Sequence, residues 1–564
     1  MSKKKRSVYI PIIVAVSLIV GIICGVYYSA PLKNNIFVTQ NSTSKLNTIL
    51  RIIDENYVDT VDMEGLVEDA LPSILAELDP HSKYIPKKYA QEISSDLEGS
   101  FSGVGIQFTI QQDTIYVNDV VKQGPAEEVG IIAGDRIIMV DDSLFVGDKV
   151  NNQTAIRTLK GPKGTQVKLG VKRSGEPEVL SFLVTRGDIP QNTIDATYMI
   201  TDKLGYIQLS KFGRTTYVEL INSMALLLYQ NCEGVIIDLR GNMGGYLDIV
   251  AKIVNEFLPK ERLIVYTEGR RMMRQDIYSN GAGGFQGIPI VLLIDEGSAS
   301  SSEIFAAAIQ DNDRGTVIGR RSFGKGLVQQ HIPFNDSSAL RLTIAKYYTP
   351  AGRSIQRHYE KGKSKDYELD FIHRIQHGEL FSEDSIKLDH DQLFYTLNGR
   401  PVYGGGGIMP DIFVPQDTIG ASSYLSEILS RGLTIQFSFQ YTDKNRDRLA
   451  EYESPEELEK YLSKQHLVDR FVQFAESKGV RRRNILINKS QHLIEKNILG
   501  NIIYNILGLE AHIKYLNQTD PTVLKALDIL NSGQSFPKPP AVKGEITADN
   551  KEGLNESNEE KEVA

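Results

Sequence analysis

The sequence predicts an α/β core built on a largely parallel sheet, with a β-rich domain inserted ahead of it, helical regions at both ends and an N-terminal helix of membrane-spanning length. Three observations carry this expectation. Apolar runs such as Val235–Leu239 and Ile290–Ile294 alternate with helical segments between about residues 190 and 415, the pattern of βα units that feed a parallel sheet. Short β-rich runs punctuated by glycine fill Gly99–Arg186. An uncharged stretch from Val8 to Tyr28 follows Lys3, Lys4, Lys5 and Arg6.

The chain has 564 residues, enough for about three to four domains. With 41% hydrophobic and 24% charged residues it has an ordinary globular balance, which excludes wholesale disorder, collagen and polytopic membrane classes. A net charge of −8, with one short basic cluster, excludes nucleic acid as a main partner. Cys24 and Cys232 are the only cysteines, so neither a disulfide framework nor a Cys-based zinc site is available. No HExxH or paired His/carboxylate spacing occurs either, and neither a metal nor a cofactor is expected.

In chain order, residues 1–30 form a membrane anchor or signal segment. Val8–Tyr28 amounts to about 30 Å of helix, the thickness of a bilayer core. Tyr27 and Tyr28 stand where a signal cleavage site needs small residues, so an uncleaved single-pass anchor is expected, with a cleaved signal as the alternative. Ile23 before Cys24 argues against a lipoprotein. The basic residues stay cytoplasmic, which puts the rest of the chain on the far side of the cell membrane, periplasmic if the source is Gram-negative.

Residues 31–96 read as a polar linker and a helical region, with Leu46, Ile49, Leu50 and Ile53 at helical intervals. Within it the turn LDPHSKYIP interrupts the pattern at Asp79-Pro80 and Pro86. Residues 97–188 are the β-rich domain and 189–415 the α/β core. Residues 416–534 are helical again, with start signals at Ser454-Pro455-Glu456-Glu457 and Asp520-Pro521. The tail, 535–564, is rich in Pro, Glu, Asn and Lys, and its composition predicts disorder.

In the β-rich domain, SGVGIQF (Ser102 to Phe108) places two glycines in a loop that feeds a strand, and GPAEEVGIIAGDRI follows from Gly124 to Ile137. The loop alone also fits an ordinary hairpin turn. The two motifs together resemble a PDZ domain. That resemblance implies that Gly103, Val104, Gly105 and Ile106 receive a peptide's terminal carboxylate on backbone N–H groups, while the ligand adds a strand to an open edge.

In the core, Val235–Leu239 runs into Arg240-Gly241-Asn242-Met243-Gly244-Gly245, and Ile290–Ile294 runs into the serine-rich loop ending at Glu303. Carboxyl ends of parallel strands are where sites collect. A serine at the start of the helical run EIFAAAIQD lies beside unpaired N–H groups, which favour an oxyanion. Taken by itself, a cluster of serines is more often a cap or a solvated loop. The ordered set DLRGNMGG, GSASSSEIFAAAIQD, RRSFGKGLVQ, YYTPAGRSIQ and GGIMPD, together with the PDZ-like module and LDPHSKYIP, resembles the carboxyl-terminal processing peptidases. These are PDZ-containing serine peptidases with a Ser-Lys dyad.

The resemblance spans roughly residues 44 to 415. It implies an α/β peptidase core, with Ser300 in GSASSSE as nucleophile, Lys325 in FGKG as general base and Gln329 as the group orienting the lysine. Ser298, Ser301 and Ser302 are the rival hydroxyls. Backbone N–H groups of Gly244 or Gly245 and of Ser301 are the oxyanion-hole candidates; Gly-Gly equally suits a tight turn. A base lysine must be neutral, against an ordinary pKa of about 10.4, so burial has to depress it. Phe323, Leu327 and Val328 suit that burial. A helical turn would put Lys325 and Gln329 within about 6 Å, whereas an extended chain would separate their Cα atoms by about 13 Å; it is the resemblance that implies contact.

The expected protein is a membrane-anchored serine endopeptidase that recognises substrate C-termini and cleaves by an acyl-enzyme route. Its expected partners are protein substrates with free, small or aliphatic C-termini, the membrane through the N-terminal segment, and a second copy of itself in a homo-oligomer. The rivals are a catalytically inactive PDZ scaffold or adaptor, and a Ser-His hydrolase using His331.

Overall fold

The structure, a computed structural model, describes residues 14–22, 42–89 and 100–537 apart from 112, 149 and 174. Its contacts divide into two units, residues 1–74 and 75–564. In the first, Ser42–Asn56 is helical and a second helix, Met63–Ala76, begins; the Asp62 carboxylate accepts the Gly65 N–H at 3.1 Å near its start. The expected membrane segment lies mostly outside the described residues. Its described part, 14–22, is helical, with Val14, Leu18 and Ile19 exposed. Among the described residues no helix is long and apolar enough to cross a membrane.

The helical region is interrupted at the expected turn and is helical again at residues 87–89, while 90–99 lie outside the described residues. Past Ala76 the chain turns, and Lys83–Ile85 (β1) is a strand. Asp79 makes that turn: its Oδ1 accepts the N–H groups of His81 and Ser82, both at 2.8 Å, and its Oδ2 accepts the Ser82 hydroxyl at 2.6 Å.

The β-rich domain is an antiparallel sheet of Ile106–Gln111 (β2), Thr114–Val120 (β3), Arg136–Val140 (β4), Gln166–Lys172 (β5) and Leu180–Thr185 (β6), in that order, with helix Asn152–Leu159 (α1) between β4 and β5 in the chain. Period-2 alternation buries Ile115 and Val117 of β3 in a core shared with Ile137, Leu169, Val171 and Val184. Asn151 and Thr154 form a capping box that starts α1, and Ala155 and Leu159 on that helix join the same core. Among the described residues β2 pairs only with β3, so one edge of the sheet stays open.

The core carries a six-stranded sheet ordered Ile194–Met199 (β7), Leu204–Leu209 (β8), Gly234–Asp238 (β9), Ile290–Ile294, Thr316–Gly319 and Ile412–Phe413. Only the pairing of β7 with β8 is antiparallel; the others are parallel. Helix Leu247–Phe257 (α2) and strand Leu263–Glu268 (β10) separate β9 from Ile290–Ile294 (β11), which helix Ser301–Asp311 (α3) joins to Thr316–Gly319 (β12). Every residue of β9, β11 and β12 is buried, which is why these segments read as unbroken apolar runs. A second sheet follows. Leu327–Pro333 (β13) lies antiparallel along Ala339–Tyr348 (β14), whose other edge pairs with β1 and β10. Ile412–Phe413 is β15.

Alternate residues of the six-stranded sheet face two different cores. Val235, Ile237, Leu292 and Ile294 point to α2 and α3. Ile236, Val291, Leu293 and Ile318 point the other way, onto residues from beyond 416. Helices Leu433–Leu449 (α4) and Asn484–Asn517 (α5) build a separate helical core, but Ile513 of α5 and Val523, Ala526, Ile529 and Leu530 of Pro521–Asn531 (α6) close this second face. The C-terminal region therefore completes the core sheet rather than standing apart from it. It also touches the β-rich domain: Arg136 pairs with Asp443, and Tyr116 meets Phe439 edge-on at 4.4 Å.

Disorder was expected from Ser535 onward, but residues 535–537 are described, the first of them packed. Ser535 is buried and its carbonyl accepts the Thr316 hydroxyl at 3.1 Å, while the Arg314 guanidinium lies 5.2 Å from the Phe536 ring. Residues 538–564 lie outside the described residues.

Candidate active site

Ser300 ends the loop after β11 and stands at the N-cap of α3 with φ 57° and ψ −113°. A positive φ at a non-glycine residue is strained, and such strain collects at functional turns. The neighbouring hydroxyls are all committed to carbonyls: Ser298 Oγ donates to Leu239 at 2.8 Å, Ser301 Oγ to Gly245 at 2.9 Å and Ser302 Oγ to Asn242 at 2.8 Å. They fasten the two loops together. Ser300 Oγ instead lies 2.8 Å from the hydroxyl of Tyr347.

The helix behind Ser300 packs into the core through Ile304, Phe305 and Ile309. All eleven of its residues, Ser301–Asp311, are buried, because the second sheet covers its other side. Glu303 is the consequence. Its Oε2 accepts the backbone N–H of Ser300 at 2.8 Å and of Lys325 at 2.9 Å, and its Oε1 accepts the Ser322 hydroxyl at 2.5 Å and the Gly324 N–H at 2.7 Å. Burial pushes this carboxyl upward in pKa, and the four donors pull back against it. One buried side chain thus holds the serine loop and the lysine loop. The S-x-x-E spacing of Ser300 and Glu303 is the sequence signal for half of this arrangement.

Lys325 precedes β13, and its Nζ donates to Gln329 Oε1 at 3.3 Å. The chain there is neither of the two regular alternatives. Lys325 lies outside the strand, and a register shift between Val328 and Gln329 breaks the ladder, so the two long side chains meet without a helical turn. Gln329 Nε2 donates to the His81 carbonyl at 2.7 Å. Burial is the largest influence on the Lys325 amine and lowers its pKa; the nearby charges of Arg341 and Lys83 lower it further, against Glu303 and Asp79. His331 is exposed on β13, and no hydrogen bond joins it to Ser300 among the described residues.

The oxyanion candidates divide. The Gly244 N–H donates to Asn242 Oδ1 at 2.8 Å, so of the two alternative glycines it is the one already engaged. The N–H groups of Gly245 and Ser301 have no acceptor among the described residues. Glycine is required at both loop positions: a Cβ on Gly244 would lie 2.7 Å from Ser300 Cβ, and one on Gly245 would lie 2.1 Å from the Phe212 carbonyl oxygen. Arg240, at the head of this loop, donates to Asp238 and, at 2.8 Å, to Asp520 at the start of α6.

In the β-rich domain, Gly103 pairs with Gly187 in a two-stranded ribbon, and the Val104 side chain is a core residue at 2% exposure. Gly105 has φ 81°, and Ile106 opens β2. The N–H groups of Val104 and Gly105 have no acceptor among the described residues, directly beside the open edge of the sheet.

Three family models match the chain. Peptidase family S41 covers residues 203–369, a PDZ domain covers 102–184, and a family of unknown function (DUF8443) covers 424–508. A carboxy-terminal-processing protease of Bartonella bacilliformis is 34% identical over 353 residues, 60% of this chain and 80% of the relative. The carboxy-terminal processing protease CtpB of Bacillus subtilis is 32% identical over 348 residues, 61% of this chain and 71% of the relative. The solved photosystem II D1 C-terminal processing protease is similar at 26% identity with a TM-score of 0.32, over 56% of this chain and 91% of that one.

Proposed function

The chain belongs to the carboxy-terminal processing proteases of peptidase family S41, and from that premise we propose that it cleaves peptide bonds with Ser300 as nucleophile and Lys325 as general base. Neutral Lys325 takes the Ser300 hydroxyl proton as Oγ bonds to the scissile carbonyl carbon, and the carbonyl electron pair moves to oxygen. The N–H groups of Gly245 and Ser301 receive that oxyanion. The lysine ammonium returns the proton to the leaving amine as the C–N bond breaks, and water then hydrolyses the acyl-enzyme with lysine again as base. The observation that carries this reading is the buried Lys325 amine, lowered in pKa and tethered to Gln329, on a loop that shares Glu303 with the Ser300 backbone.

Substrates enter by their C-termini. The free N–H groups of Val104 and Gly105 suit a terminal carboxylate, and β2 offers the edge to which a peptide adds as a strand. The N-terminal basic cluster and the apolar stretch Val8–Tyr28 support an anchor in the cell membrane, with the catalytic part outside the cytoplasm. Reaction with a fluorophosphonate probe followed by peptide mapping tests the site. An adduct on Ser300 is expected; an adduct on Ser298, Ser301 or Ser302, or none in an active preparation, contradicts it.

A further inference from the structure

We propose that Tyr347 is a further catalytic residue: its hydroxyl donates a hydrogen bond to Ser300 Oγ, turning the serine proton toward Lys325 and supporting the negative charge that builds on Oγ as that proton leaves. The inference rests on the Ser300–Lys325 reading and deepens it. The two oxygens are 2.8 Å apart, and either can be the donor on distance alone. Chemistry selects one direction. Ser300 has a single proton, and the proposed base must receive it, so the hydrogen in this bond is the tyrosine's.

Tyr347 is built to stay in place. It is 5% exposed and shares a core with Ile264, Val265, Ile304 and Ile355. On one side β14 pairs it with Thr267 of β10. On the other, its backbone N–H donates to the carbonyl of Gly326 at 3.0 Å. One residue is therefore bonded through its main chain to the loop that carries the base and through its side chain to the nucleophile. Burial raises the phenol's pKa far above the ordinary tyrosine range, so it keeps its proton through the cycle and acts as a donor, never as a rival base. A charge-assisted bond to a developing alkoxide is stronger than the same bond to a neutral hydroxyl, so it favours the transition state over the resting enzyme.

The test is the second-order rate of Ser300 phosphonylation by a fluorophosphonate, a step in which the Oγ–P bond forms and fluoride leaves. Tyr347→Phe keeps the ring and removes the donor; its rate is expected to fall about 10- to 100-fold with the melting temperature little changed. A protein carrying 3-fluorotyrosine at 347, a more acidic donor of nearly the same shape, is expected to react at least as fast as the parent. A Tyr347→Phe protein that reacts at the parent rate or faster overturns the proposal. Should that variant not fold, the fluorotyrosine protein decides: a rate 10-fold below the parent overturns it. Ser300→Ala separates the two levels, since labelling that survives Ser300→Ala refutes the dyad itself, whereas loss of labelling there with a normal Tyr347→Phe rate refutes only the role of Tyr347.

Discussion

Gln329 Nε2 donates to the main-chain carbonyl of His81 at 2.7 Å, which turns the amide oxygen of Gln329 toward Lys325 Nζ. A carbonyl can only accept, so the amide is fixed in one sense. The turn at Asp79 thereby reaches the Lys325 amine through Gln329. Asp79→Ala, which unties His81 and Ser82, is expected to lower kcat about 10-fold with KM nearly unchanged, because orientation at the reacting group is lost while substrate contacts remain. Steady-state kinetics on a C-terminal peptide substrate measures the split.

Glu303→Gln replaces an acceptor of four hydrogen bonds with a group that has one acceptor oxygen and a donor facing other donors. A loss of about 2–4 kcal/mol in stability is expected, with activity falling as the serine and lysine loops lose their common anchor. Urea unfolding and peptide turnover on the same preparation report the two effects.

Much of this was legible in the sequence, for local reasons. Strands buried on both faces show as apolar runs, so β9 falls within a residue of Val235–Leu239 and β11 on Ile290–Ile294 as read. Ser454 and Asp520 accept backbone N–H groups at the starts of helices, as their Ser-Pro and Asp-Pro signals indicate. What escaped was contact between distant residues. In the sequence Tyr347 is only a letter of the YYTPAGRSIQ motif, and it is the pairing of β14 between β10 and β13 that brings its hydroxyl to Ser300. The His81 carbonyl carries no side-chain signal at all. The region past 416 looked separate because its helices have their own amphipathic pattern; that α6 covers the core sheet follows from Ile236, Val291 and Leu293 needing a partner on their face.

The link between Arg240 and Asp520 makes the C-terminal region part of the site's support. Burial alone would raise the Asp520 carboxyl, yet the Arg240 charge and hydrogen bond, with the N–H groups of Val523 and Thr522, hold it below the usual range. Asp520→Asn is expected to cost about 1–2 kcal/mol and to lower kcat by loosening the loop that carries Gly245. Thermal unfolding with parallel kinetics checks this, and unchanged values for both would remove the link.

Recognition through the PDZ domain predicts a dependence on the substrate's terminal charge. A peptide ending in a free aliphatic residue is expected to be cleaved faster than its C-terminal amide, since the Val104 and Gly105 N–H groups lose their anionic acceptor. Paired progress curves for the acid and the amide read the difference. Equal rates would count against capture at this loop.

The dependence of kcat/KM on pH tests the central claim most directly, measured for the parent, Lys325→Ala, Lys325→Arg and His331→Ala proteins. The burial-lowered amine predicts activity that rises with pH through an apparent pKa below the ordinary lysine value, as the protonated form gives way to the neutral base. His331→Ala should keep that limb, and both Lys325 variants should be inactive, guanidinium being unable to accept the proton. A His331→Ala protein without activity beside an active Lys325→Ala protein would contradict the account.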